Sequence, residues 1–99
     1  MATTTTRGRY NNIGDVYRQQ GHYERALEYY QKSLDIKIRV VGHSHLDIAT
    51  SCQNIAVVYL NQGKQAQAIE MATKAYDINL KVLGPDHPTT KKLKSLLGK

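Results

Sequence analysis

The sequence predicts an all-α fold of tandem antiparallel helical hairpins, about two and a half repeats long. Two observations carry the prediction. The chain repeats itself: Asn12-Ile13, Val16-Tyr17 and Gln20-Gly21 return 42 residues later as Asn54-Ile55, Val58-Tyr59 and Gln62-Gly63. The match continues through Ala26/Ala68, Glu28/Glu70, Lys32/Lys74, Asp35/Asp77, Ile36/Ile78, Val40/Val82, Gly42/Gly84 and His45/His87. Self-similarity at such a period marks a stacked array of supersecondary units. In addition, apolar residues recur at steps of three and four, and strand signals are nearly absent. An array offers an extended surface to a partner and has no built-in reaction chemistry.

The elements follow in order. Residues 1–7, with four consecutive threonines, are expected to form a flexible tail without the apolar core of a signal peptide. A helix from about Gly8 to Gln20 turns Tyr10, Ile13, Gly14 and Tyr17 inward, and Gly21 ends it. The next runs from about Tyr23 to Gly42, with Tyr23, Ala26, Leu27, Tyr30, Leu34 and Ile38 on one stripe. Tyr29, Ser33, Ile36 and Val40 form a second stripe beside it. Two stripes imply cover on two sides, by the hairpin partner and by the next repeat. The third helix, about Leu46 to Asn61, carries Ile48, Ala49, Cys52, Ile55, Ala56 and Tyr59 on its inner face. The fourth repeats the double stripe, with Ala68, Ile69, Ala72, Tyr76, Leu80 and Leu83 flanked by Met71, Ala75, Ile78 and Val82. Gly84-Pro85 stops it. Pro88 suits the first position of a fifth helix ending near Leu97, whose apolar face is Leu93, Leu96 and Leu97. Ser44 and Asp47, three apart, form a candidate capping box before the third helix. Gly14 and Ala56 are equivalent, and a small residue there lets two helices approach closely. The domain is therefore expected over 8–97: repeat one about 8–42, repeat two about 46–84, and a partial repeat or capping helix about 88–97.

Composition narrows the function. The 99 residues carry a formal charge of +6, and one domain is the most that this length allows. Residues 10–90 balance eight basic against eight acidic side chains. The excess sits at the two ends, in Arg7, Arg9, Lys91, Lys92, Lys94 and Lys99, and not in a basic stripe along the body as nucleic-acid binding would require. The one cysteine, Cys52, forms no internal disulfide and fits a reducing, cytoplasmic setting. It lies on a core stripe and is read as a small buried residue. No apolar run approaches the length of a membrane span.

The arrangement Asn-Ile-[Gly/Ala]-x-Val-Tyr-x-x-Gln-Gly, followed by Ala-[Leu/Ile] at 26–27 and 68–69, resembles the tetratricopeptide repeat (TPR). The 42-residue spacing and the linker Gly84-Pro85-Asp86-His87-Pro88 resemble the kinesin-light-chain class of these repeats. The resemblance covers about residues 8–97. It implies a right-handed superhelix of helix pairs, whose first helices line a concave groove that takes a peptide of a partner protein. It further implies that the chain is a stretch of a longer array. Carried over, the groove positions are Asn11, Asn12, Asp15, Arg18 and Gln19 in the first unit. In the second they are Gln53, Asn54, Val57, Leu60 and Asn61, and in the partial third Lys92 and Ser95. Gln53, Val57, Leu60 and Asn61 also step along a face beside the buried stripe, where Val57 and Leu60 are more apolar than a solvated face needs. Asn12 and Asn54 offer an amide donor and acceptor, either to a peptide main chain or to a neighbouring helix.

The expected partner is a peptide with an acidic part near Arg18 and Lys92 and an apolar anchor near Val57 and Leu60. Two end faces add an expectation of a homodimer or higher oligomer. They carry Tyr10, Val16 and Tyr17 at one end and Met71, Ala75, Ile78 and Val82 at the other. A scaffold role without a peptide ligand is the alternative. RNA binding is disfavoured because the equivalent pairs Asp15/Val57 and Arg18/Leu60 form no regular code. No catalytic constellation, cofactor motif or metal site is expected. His43, His45 and His87 are too few for a closed metal site and read as capping and loop-packing residues. The seven tyrosines, with no phenylalanine or tryptophan, read as inter-helix packing.

Overall fold

A computed structural model describes residues 2–42 and 45–98, with side chains from residue 9 onward. Five helices follow one another and no strand occurs among the described residues: α1 (Ala2–Gln19), α2 (Tyr23–Val41), α3 (Leu46–Asn61), α4 (Gln65–Leu83) and α5 (Pro88–Leu96). The helices α1 and α2 pair into one hairpin and α3 and α4 into a second, while α2 packs on α3 and α4 on α5. The result is a slab of 34 × 33 × 18 Å. Its thin dimension matches two layers of helices, each about 10 Å across. One layer holds α1, α3 and α5, and the other holds α2 and α4.

The helix ends follow local chemistry. Gly42 (φ 84°) and Gly84 (φ 88°) both take a positive φ with an extended ψ, a backbone conformation open essentially to glycine alone. Their amides donate to the carbonyls of Ile38 and Leu80 and close the last turns. At the start of α3, His45 Nδ1 accepts the Asp47 backbone N–H at 3.0 Å. His87 does the same for Thr89 at 3.2 Å before α5. Each imidazole thus satisfies a first-turn amide that the helix itself leaves unpaired. Ser44 of the expected capping box, and His43, lie outside the described residues.

One boundary differs from the sequence expectation. Helix α1 begins at Ala2, so the residues expected as a flexible tail are helical from Ala2 on. Ala2–Arg7 contains no proline or glycine, and Gly8 alone costs about 1 kcal/mol in a helix interior. That is too little to stop a helix already nucleated by its hairpin.

The core runs through the middle of the slab. Ala26, Tyr30, Leu34, Ile48, Ala49, Cys52, Ile55, Val58, Ala75 and Leu93 form one buried cluster. Burial pushes the Cys52 thiol pKa up, with Lys74 opposing weakly. The second stripes are covered along most of their length, with Ser33 and Ala75 fully buried. Their last members, Val40 and Val82, stand 59% and 47% exposed because the neighbouring helix does not reach them.

The two inter-repeat junctions are not equal. Between α2 and α3, Lys37 Nζ donates to Ser51 Oγ at 3.0 Å. The repeat mates of that pair, at α4 and α5, are Asn79 and Leu93, which cannot reproduce it. Asn79 Nδ2 and Thr90 Oγ1 are buried there with no hydrogen-bond partner among the described residues. Such orphaned polar groups cost free energy, so the α4–α5 junction is less well matched than the α2–α3 junction.

Candidate functional site

The face shared by α1, α3 and α5 differs sharply between its two halves, and one repeat position explains the difference. In the first unit, the Tyr30 ring of α2 reaches between the helices and is 1% exposed. Its hydroxyl donates to Asp15 Oδ1 in a short bond and accepts from Arg18 Nε at 3.2 Å. Asp15 and Arg18, one turn apart on α1, also form an ion pair at 3.9 Å. Desolvation, with the Asp15 contact adding to it, pushes the Tyr30 pKa up to about 12. The hydrogen bond to Tyr30 raises that of Arg18. The ring fits because residue 14 is glycine: a Cβ there would lie 2.7 Å from Tyr30 Cδ1.

In the second unit each of these residues is replaced by its apolar or small repeat mate. Tyr30 becomes Ala72, Asp15 becomes Val57, Arg18 becomes Leu60, and Gly14 becomes Ala56. The ring is gone, and a cleft of about 300 Å³ opens in its place. All four replacements line it, together with Gln53 on α3, Ala68 and Ile69 on α4, and Lys92, Leu93 and Leu96 on α5. Val57, Leu60, Ile69 and Leu96 remain 41–72% exposed.

The expected groove residues distribute accordingly. Gln53, Val57, Leu60 and Lys92 converge on the cleft. Asn11 and Asn54 bond each other, Asn54 Nδ2 donating to Asn11 Oδ1 at 3.3 Å across α1 and α3. Of the two roles open to Asn54, this geometry provides the inter-helix one. Asp15 and Arg18 are engaged by Tyr30, so Arg18 is occupied by an internal carboxylate. Asn12, Gln19, Asn61 and Ser95 are exposed and do not line the cleft. Sequence reasoning missed Ile69, Ala72 and Leu96 on the cleft, and missed Tyr30 as the group that fills the first unit. The Tyr30/Ala72 and Gly14/Ala56 substitutions were the available signal, because a ring lost between repeats leaves its volume behind.

At the other end of the slab, Tyr17 stacks on Tyr29 with ring centroids 5.6 Å apart. Tyr10 tilts against Tyr29 at 6.1 Å, and Lys32 lies 5.2 Å from the Tyr29 ring centre. Val16, next to Tyr17 on α1, is 52% exposed.

A family model for the tetratricopeptide repeat matches residues 7–81. The chain belongs to the tetratricopeptide repeat family. No curated protein matches it significantly. Tetratricopeptide repeats are non-catalytic modules that generally mediate protein–protein interaction, in keeping with an architecture of stacked hairpins that offers an extended surface. Within the tetratricopeptide repeat frame, α1 and α3 are the first helices of their pairs, and α5 packs on α4 beyond the matched residues. The cleft lies between the second hairpin and α5. No helix among the described residues is long and apolar enough to cross a membrane.

Proposed function

We propose that this chain is a peptide-binding module that grips a segment of a partner protein on the face formed by α1, α3 and α5. The observation that carries the reading is the cleft at Val57, Leu60 and Ala72: a concave apolar site with Lys92 and Gln53 at its rim, the composition expected of a binding pocket. An apolar side chain of the peptide enters the cleft. An acidic residue of the same peptide meets Lys92, the exposed cation nearest to it. Arg18 drops out of that role because Asp15 and Tyr30 hold it. Asn12, Gln19 and Asn61 offer amides to the peptide main chain.

The 42-residue spacing and the Gly84–Pro88 linker support membership of the kinesin-light-chain-like class. The repeat boundaries at about 8–42, 46–84 and 88–97 and a cytoplasmic setting, suggested by the buried single thiol, belong to the same proposal. The test is selection from a displayed peptide library. Selected peptides are expected to lose about fivefold or more in affinity on Leu60→Ala, a hot-spot effect, and similarly on Lys92→Glu. Peptides indifferent to both substitutions would place the binding site elsewhere.

A second reading, self-association, is favoured by one specific observation. Ile13, Val16 and Tyr17 of α1 are identical to Ile55, Val58 and Tyr59 of α3, and Val16 is 52% exposed where its mate Val58 is buried. A second copy's α1 therefore carries the residues needed to pack on α4, where α5 makes its poorly matched junction. Such a head-to-tail contact does not close on itself, so it would build open-ended chains.

A further inference from the structure

We infer that the cleft of the second repeat is a seat for a single aromatic ring, a phenylalanine of the bound segment. The inference deepens the peptide-groove reading and names its anchor. The argument is internal to the molecule, because the first repeat shows what the site holds when it is full. There, a six-membered ring from Tyr30 occupies the space beside Gly14, with its hydroxyl between Asp15 and Arg18. The second repeat keeps the same helical frame and removes the ring: Ala56, Val57, Leu60 and Ala72 stand where those four residues stood. The volume of about 300 Å³ is ample, since an apolar cavity of about half that size already takes up benzene.

The lining also dictates which ring. The two groups that satisfy the Tyr30 hydroxyl have become Val57 and Leu60, so a tyrosine O–H in the same place would meet two aliphatic side chains instead of a carboxylate and a guanidinium. A phenylalanine carries no such group. Leucine and alanine fill the seat less well and lose dispersion contacts on the ring's faces. Ile69 and Leu96, exposed in the free chain, close over the edges of the ring.

The test uses the full chain, labelled with nitrogen-15, and three small probes: N-acetyl-phenylalaninamide, N-acetyl-tyrosinamide and N-acetyl-leucinamide. Amide shifts at Ala56, Val57 and Ala72 are expected with the phenylalanine derivative at about 10 mM, the weak range appropriate to one small ring. The tyrosine derivative is expected to bind about fivefold more weakly, the effect of one unpaired hydroxyl. The double variant Val57→Asp/Leu60→Arg transplants the first repeat's pair and should reverse the order in favour of tyrosine. The double variant Ala56→Gly/Ala72→Tyr should fill the seat with the protein's own ring and reduce phenylalanine binding about tenfold or more, with its circular dichroism unchanged. Should that variant not fold, the reversal by Val57→Asp/Leu60→Arg, at two exposed positions, still decides the matter. Absence of localised shifts, a tyrosine preference in the natural sequence, or an order that the transplant leaves unchanged would each overturn the inference. A library-selected peptide that binds the face while tolerating Ala72→Tyr would preserve the groove reading and remove the ring seat, so the two fail separately.

Discussion

Replacing Gly14 with alanine sets two effects of opposite sign against each other, and the structure says which wins. In an ordinary helix interior the change stabilises by about 1 kcal/mol, because alanine is the better helix former. Here the new Cβ would lie 2.7 Å from Cδ1 and 2.8 Å from Cε1 of Tyr30, closer than carbon atoms pack. The ring cannot simply swing away. Its face is buried and its hydroxyl is tied to Asp15 and Arg18. Relief costs either backbone displacement, at about 1–3 kcal/mol for overpacking, or the hydroxyl's hydrogen bonds, each about 1 kcal/mol. Gly14→Ala should therefore destabilise the chain by a net amount of about 1–2 kcal/mol, enough to lower the melting temperature by roughly 4–8 °C per kcal/mol in a domain of this size. The assay is urea unfolding followed by circular dichroism, performed as a double-mutant cycle with Tyr30→Ala. Tyr30→Ala alone should cost about 3 kcal/mol or more through the cavity it leaves. In that background Gly14→Ala should become neutral or stabilising, since the pair then matches Ala56/Ala72 of the second repeat. A coupling energy of about 2 kcal/mol is expected. A neutral or stabilising Gly14→Ala in the natural background would refute the close approach and, with it, the account of why the first unit is full and the second open.

The remaining predictions concern pH, packing and assembly. The Tyr30 pKa is raised to about 12 from an ordinary value near 10, so the folded state favours the neutral phenol. Stability is then fully present below about pH 10 and falls as pH rises towards 12, by on the order of 2 kcal/mol. Tyr30→Phe should remove most of that alkaline slope in denaturation curves taken at successive pH values, and an unaltered slope would assign it to another group. Asn54→Ala should lower stability by about 1 kcal/mol through loss of the Asn11 bond, whether or not a peptide is present, and an effect on peptide affinity alone would contradict the inter-helix role. Ala26 and Ala68, 0% and 2% exposed, should each tolerate leucine poorly, at about 1–3 kcal/mol by thermal melts. Light scattering over a dilution series should show mass rising with concentration above roughly tens of micromolar, and Val16→Asp should abolish the rise. A monomeric mass at millimolar protein would show that the end faces are adequately covered.

Much of this architecture was legible in the residues. The bounds of α3 coincide with those read from the sequence, because Gly63 and the apolar steps from Ile48 to Tyr59 leave no alternative. Pro88 and Gly84 mark the start of α5 and the end of α4 for similarly local reasons. The start of α1 was not legible: threonine-rich residues have no strong preference, and whether they continue a helix depends on its tertiary nucleus. At the site, helical spacing placed Gln53, Val57, Leu60 and Asn61 on one face and the family resemblance added Lys92; all but Asn61 line the cleft. It could not say that Arg18 would be consumed by Asp15 and Tyr30, since that bond joins two helices 12 residues apart in the chain. Nor does spacing reveal volume. The cleft exists because an aromatic ring on α2 has no counterpart on α4, a difference carried by the Tyr30/Ala72 pair and not by helical spacing.

The central claim is that a partner segment lies across α3 and α5 at the second repeat. Chemical-shift mapping tests it most directly: a peptide selected by the chain is titrated into nitrogen-15-labelled protein, and the displaced amides are located on the slab. The account predicts shifts concentrated at Gln53, Val57, Leu60, Ala72 and Leu96, weakening along Asn12 and Gln19 on α1. Shifts confined to the outer surfaces of α2 and α4, with the cleft residues unmoved, would contradict it.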